Sequence, residues 1–207
     1  IKVFDVTNEN DRQYIIMEYV EGQTLETVIK NNKKLPILES VSIVSEVCLA
    51  LDYIHTQKII HRDIKPSNIM IGNDRNVKIM DFGVIRDTSV TNATPTGTII
   101  GTLSYTAPEQ SLKNMDHKVD IFSLGTVLYE LVTGFNPFQS TTYADTFLRI
   151  ASFSPDPPSR HNPDCNGVLD EIILKSMEKN PNKRYSSAKE FYKVLTKFIE
   201  SYKTANF

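Results

Sequence analysis

Apolar positions recur along this chain in two spacings, and the changes between them divide it into elements. Residues 2–6 and 13–20 are β-rich runs flanking a polar turn at residues 7–12, which predicts a hairpin. Residues 24–31 predict a short helix. Residues 36–56 predict a long one, because Val41, Val44, Cys48 and Leu51 fall at helical spacing. A second row, Ile43, Val47, Ala50 and Ile54, leaves that helix apolar on most sides, so it is expected to be buried. A second hairpin, residues 69–71 and 77–80, turns around Gly72-Asn73-Asp74. The apolar run that opens at Asp120 predicts another helix to about Thr133, with Gly134 as its C-cap. Further helices are predicted over residues 143–151, 168–177 and 187–202. The last opens on Ser187 with Glu190 as a capping box and carries Phe191, Leu195, Phe198 and Tyr202 as a core stripe. Residues 154–166 hold four prolines and predict a fixed loop, whereas residues 81–109 are polar, rich in Thr and without period. Such a loop can be ordered by a charge.

A chain of 207 residues with 40% apolar content buries one core, so one domain or one large lobe is expected rather than two domains. A net charge of -2 and a pI near 6.1 give no global attraction for nucleic acid or an anionic membrane. Cys48 and Cys165 stand far apart with no CxxC or His-rich neighbour, which indicates neither a disulfide framework nor a zinc site. No apolar run approaches a membrane span and no signal-peptide pattern opens the chain, so a soluble, cytoplasmic protein is expected.

The chemistry concentrates in His61-Arg62-Asp63-Ile64-Lys65-Pro66-Ser67-Asn68, followed thirteen residues later by Asp81-Phe82-Gly83. Phosphoryl transfer needs one carboxylate to accept the proton of a substrate hydroxyl, and an amide and a second carboxylate to hold the metal ions that bridge the nucleotide phosphates. The spacing H-R-D-x-x-x-x-N plus D-F-G supplies this set, with Asp63 in the first role and Asn68 and Asp81 in the second.

On these motifs the sequence resembles the catalytic half of a eukaryotic-type protein kinase over about residues 2–202, and it is similar to bacterial serine/threonine kinases. Lys65, two residues after the acid, is the serine/threonine-type choice. The resemblance implies a mainly α fold with short β hairpins, the C-terminal lobe of the kinase-like α+β fold. Residues 1–22 would be the last small-lobe hairpin and hinge, and 23–207 the large lobe, with the catalytic loop at 61–68 and an activation segment at 81–109. ATP, Mg²⁺ and protein substrates are implied. Met17 would be the gatekeeper, backbone groups around Glu18 and Val20 would bond the adenine, and Met70 would lie beneath it. Lys65 would neutralise charge on the moving phosphoryl. A phosphate on Thr94 or Thr96 would pair with Arg62. Gly101 and Thr102 resemble the loop that receives the substrate residue. His61, Phe82, Glu109, Asp120 and Arg184 would be structural. Asp120 would accept hydrogen bonds from the His61-Arg62 turn, and Glu109 of Ala107-Pro108-Glu109 would pair with Arg184, which matters only if the pair is buried.

A kinase also needs a Gly-rich loop, a strand lysine and a helix Glu. The eight glycines include no G-x-G pair, and Lys2 is the only lysine before the hinge. The chain is therefore expected to begin at the fourth small-lobe strand, to be inactive or nearly so alone, and to need upstream residues or a partner over its N-terminal hairpin. The alternative is a pseudokinase-like module that docks proteins without catalysis. A small-molecule phosphotransferase is disfavoured by Ala107-Pro108-Glu109 and Asp120, which suit a peptide platform.

Overall fold

A computed structural model describes residues 1–9, 12–80, 103–110 and 115–206. Strands β1 (Val3–Glu9) and β2 (Arg12–Met17) pair antiparallel, with Glu9 opposite Arg12 and Val3 opposite Met17. The ladder runs further into the polar turn than the apolar pattern predicts, because main-chain pairing needs no apolar side chain when both faces are open. Val3, Phe4, Val6, Ile15 and Ile16 are all exposed.

A second sheet has the order β3-β4-β5, formed by β3 (Gly22–Thr24), β4 (Ile69–Gly72) and β5 (Val77–Ile79). The hairpin β4-β5 is the expected one. Its third strand is not, since three residues carry no readable period. Gly22 makes the pairing with β4 possible: a Cβ there would sit 2.1 Å from the Ile71 carbonyl oxygen.

Thr24 ends β3 and caps α1 (Leu25–Asn32), its hydroxyl accepting from Thr27 N at 3.2 Å. Helix α2 (Ile37–Thr56) buries ten residues on several faces, as its double apolar row requires. Helix α3 (Lys118–Thr133) buries every residue from Val119 to Tyr129 and is the centre of the helical body. It ends at Gly134, whose φ of 88° lets its N–H reach Glu130 O at 2.7 Å. Helices α4 (Tyr143–Ser152), α5 (Gly167–Ser176) and α6 (Ala188–Asn206) complete the body, with α6 packed along α2 and α5 against α3. The α6 stripe buries Phe191, Leu195 and Phe198. Its cap differs from the expected box. Glu190 N donates to Ser187 Oγ at 3.1 Å, but the Glu190 carboxylate takes the N–H and hydroxyl of Ser186 at 2.7 and 2.6 Å.

The crossing of α3 and α5 is tight at Gly125, where a Cβ would lie 1.9 Å from Ser176 Oγ and 2.8 Å from its Cβ. Gly125→Ala should therefore destabilise the body by about 1–3 kcal/mol despite the better helix propensity of Ala. A lowered urea midpoint at constant m-value is the expected readout, and an unchanged midpoint would show that the helices part freely.

Candidate active site

After α2 the chain turns through residues 59–65 into a 3₁₀ turn, Pro66–Asn68, with proline at its first position where no N–H is needed. Asn68 N bonds Lys65 O at 2.9 Å, and this folds the Asn68 side chain back over Asp63. Asn68 Nδ2 donates to Asp63 O at 2.8 Å and to Asp63 Oδ2 at 3.0 Å. Lys65 Nζ lies 2.8 Å from the same Oδ2. The amide nitrogen of Asn68 is thus committed to the acid, and its amide oxygen remains the donor atom for a cation.

His61 is fully buried and bridges two parts of the site. Its Nε2 lies 2.9 Å from Met80 O, which can only accept, so that nitrogen carries the hydrogen. Its Nδ1 accepts from Asp63 N at 3.3 Å. Met80 N in turn donates to Asn68 O at 2.8 Å. The residue before Asp81 is therefore anchored to the loop of residues 61–68 through both its backbone groups. Asp81 itself, with Phe82, Thr94, Thr96, Gly101 and Thr102, lies outside the described residues.

Asp120, in the first turn of α3, is completely buried. Its carboxylate accepts from His61 N at 2.9 Å, Arg62 N at 2.8 Å and His55 Nε2 at 2.8 Å. Arg62 needs this support, because its φ of 67° is left-handed and costs a side-chain-bearing residue about 1–2 kcal/mol. Gln110 Nε2 holds the other side, donating to Arg62 O at 2.6 Å. Neither His55 nor Gln110 was marked by the sequence. A lone His in a helix and a Gln after Pro-Glu look ordinary until the fold brings them here.

Met17 ends β2 partly exposed, and Glu18 N donates to Lys2 O at 2.9 Å. The Glu18 carboxylate takes Lys78 Nζ at 3.0 Å and Lys2 N at 2.9 Å, and these bonds, Lys78 first, hold it below the usual carboxylate range. Val20 is half-buried, and Met70 sits mid-sheet between Thr24 and Lys78.

Glu109 and Arg184 form a bidentate pair, Nη1 to Oε1 at 2.5 Å and Nη2 to Oε2 at 2.8 Å. Arg184 is 4% exposed, and it also donates to the carbonyls of Glu178, Lys118 and Lys179. All of the guanidinium is satisfied in a buried setting, the case in which an ion pair carries structural weight. Among the described residues no group of three His, Cys, Asp or Glu stands ready to hold a metal. The oxygen donors at Asn68 and Asp63, all hard, are of the kind Mg²⁺ prefers.

A loop whose acid is held by the amide five residues on, and whose two preceding residues hang by their N–H groups from a carboxylate in a buried helix, defines the class: a kinase-type large lobe. The chain belongs to the protein kinase family, its residues 1–195 matching the protein kinase domain. It is 40% identical over 190 residues to serine/threonine-protein kinase PknB of Mycolicibacterium smegmatis, covering 90% of this chain and 30% of that protein. It is 38% identical over 198 residues to a probable serine/threonine-protein kinase of Clostridium perfringens, covering 95% of this chain and 29% of that protein. A probable serine/threonine-protein kinase of Clostridium acetobutylicum is 34% identical over 203 residues, covering 98% of this chain and 31% of that protein. The chain thus spans about three tenths of the length of these relatives. No helix among the described residues is long and apolar enough to cross a membrane.

Proposed function

We propose that the protein carrying this chain transfers the γ-phosphoryl of ATP to Ser or Thr hydroxyls of protein substrates, with residues 1–22 as the last small-lobe hairpin and hinge and 23–207 as large lobe. The observation that carries this reading is the Asp63 carboxylate held by Asn68 Nδ2 and Lys65 Nζ. Asp63 orients the substrate hydroxyl and takes its proton. Lys65, already beside that oxygen, meets the charge of the moving phosphoryl. The amide oxygen of Asn68 and the carboxylate of Asp81 would hold Mg²⁺, which would supply positive charge to neutralise the nucleotide phosphates. The Glu18 carbonyl and the Val20 N–H would take the adenine edge, with Met17 and Met70 packed against the ring. Arg62 would receive a phosphate placed on Thr94 or Thr96, and Gly101 with Thr102 would receive the substrate residue.

The full-length protein should bind ATP in calorimetry only with Mg²⁺ present and should move labelled phosphate onto Ser or Thr of a protein substrate. Removing Mg²⁺ with EDTA should abolish transfer. Binding of protein partners with neither nucleotide binding nor transfer would overturn the reading in favour of a non-catalytic docking module.

A further inference from the structure

Helices α5 and α6 pack side by side, and between them runs a groove with a volume of about 530 Å³. Its floor is Ile172 from α5, Tyr185 just before α6, and Phe198 from α6, all buried. This floor is held in place, because the Tyr185 ring stacks on Phe191 at 4.7 Å and its hydroxyl donates to Ile172 O at 3.2 Å. The lips are apolar too, with Val194 half-buried and Val168 56% exposed. Around them stand Lys175, Lys193 and Lys197, against Glu171 as the one acid among the described residues that line the groove. Lys175 Nζ lies 4.3 Å from the centre of the Tyr185 ring, so a cation already leans over the floor. Lys193 and Lys197 are one turn apart on α6, where like charges disfavour the helix. Glu190, a turn before Lys193, accepts from the N–H and hydroxyl of Ser186 and lies 3.4 Å from Lys175. Glu200, a turn past Lys197, does not line the groove.

An apolar floor inside a basic rim selects a ligand that is apolar on one side and acidic around it. The recess decides between a bilayer and a chain segment. A lipid surface would meet the lysine heads while the floor stayed out of reach beneath them, whereas a single side chain can enter. The lining runs from Val168 to Lys175 on α5 and from Lys193 to Ser201 on α6, which at 1.5 Å per residue is about 10–12 Å. That length takes two turns of a helix, whose apolar side chains recur on one face at three- and four-residue steps. We propose that the groove between α5 and α6 docks an acidic amphipathic helix of a protein partner, its apolar side chains on Ile172, Val194 and Phe198 and its carboxylates on Lys193 and Lys197. Neither helix carries a residue assigned above to phosphoryl transfer, so the docking site stands or falls separately from that reading.

The probe is a blocked synthetic helix of about fourteen residues, with leucines at three- and four-residue steps and glutamates elsewhere, titrated against the full-length protein by fluorescence anisotropy. It should bind saturably. Lys193→Glu with Lys197→Glu should weaken binding about tenfold or more, and Val168→Asp alone should do the same. These three side chains are exposed, so Tm should not move. Lys30→Glu with Lys33→Glu makes the same change of net charge on α1 and should leave binding as it was. Raising the salt to about 1 M, where charges are screened beyond about 3 Å, should weaken the contact in the unaltered protein. Equal binding of a peptide with serine in place of leucine, or an equal loss in the α1 variant, would reduce the contact to general charge attraction and overturn the proposal. So would the absence of saturable binding. Binding of phosphatidylglycerol vesicles that depends on Lys193 and Lys197 but not on Val168 would overturn it as well, and would make this face a membrane surface instead.

Discussion

Asp63→Asn in the full-length protein should lower phosphoryl transfer by about 10²–10⁴-fold while leaving Mg²⁺-ATP affinity almost unchanged. The substitution keeps size and shape, and an amide can still accept from Asn68 Nδ2 and sit beside Lys65. It can no longer take a proton. The loss should therefore fall on kcat rather than on nucleotide binding, as for an interaction made only as the hydroxyl is deprotonated. Radiolabel transfer to a protein substrate measures the first quantity and calorimetry the second. Undiminished transfer would remove Asp63 from the mechanism.

Arg184→Ala should be the most damaging change outside residues 61–68, at about 3–5 kcal/mol. It strands the Glu109 carboxylate in a pocket where Arg184 is its bidentate partner, and it strips donors from the carbonyls of Glu178, Lys118 and Lys179. For a body of this size each kcal/mol is worth about 2–4 °C in Tm, so a drop of roughly 6–20 °C is expected by calorimetry. Replacing both partners, as in Arg184→Met with Glu109→Met, should recover part of the loss, because no charge is then left buried and unpaired. A single variant as stable as the unaltered protein would show that the pair is solvated in solution.

The helical body was legible in the sequence because burial on several faces leaves a dense apolar code. The rows of α2 and the run from Asp120 set those elements to within two residues. The nearness of Asp63 and Asn68 was legible for another reason: they are five residues apart, and a single 3₁₀ turn joins them. What went unread depends on contacts distant in sequence. The strand β3 exists only because β4 offers it an edge. His55 and Gln110 matter because Asp120 and Arg62 O are where they are, 65 and 48 residues away. The Glu190 carboxylate chose Ser186 over Ser187, a difference of one residue that spacing alone does not resolve.

The buried imidazole of His61 works as a spacer of fixed length. Its two nitrogens join the main chain at Asp63 to the main chain at Met80, so Asp63 and the residue preceding Asp81 keep one separation whatever the surrounding loops do. A ring lacking one nitrogen would loosen one end of that strut and leave the other seated. Tolerance at this position should therefore be judged by how well a replacement spans the gap, and much less by its charge.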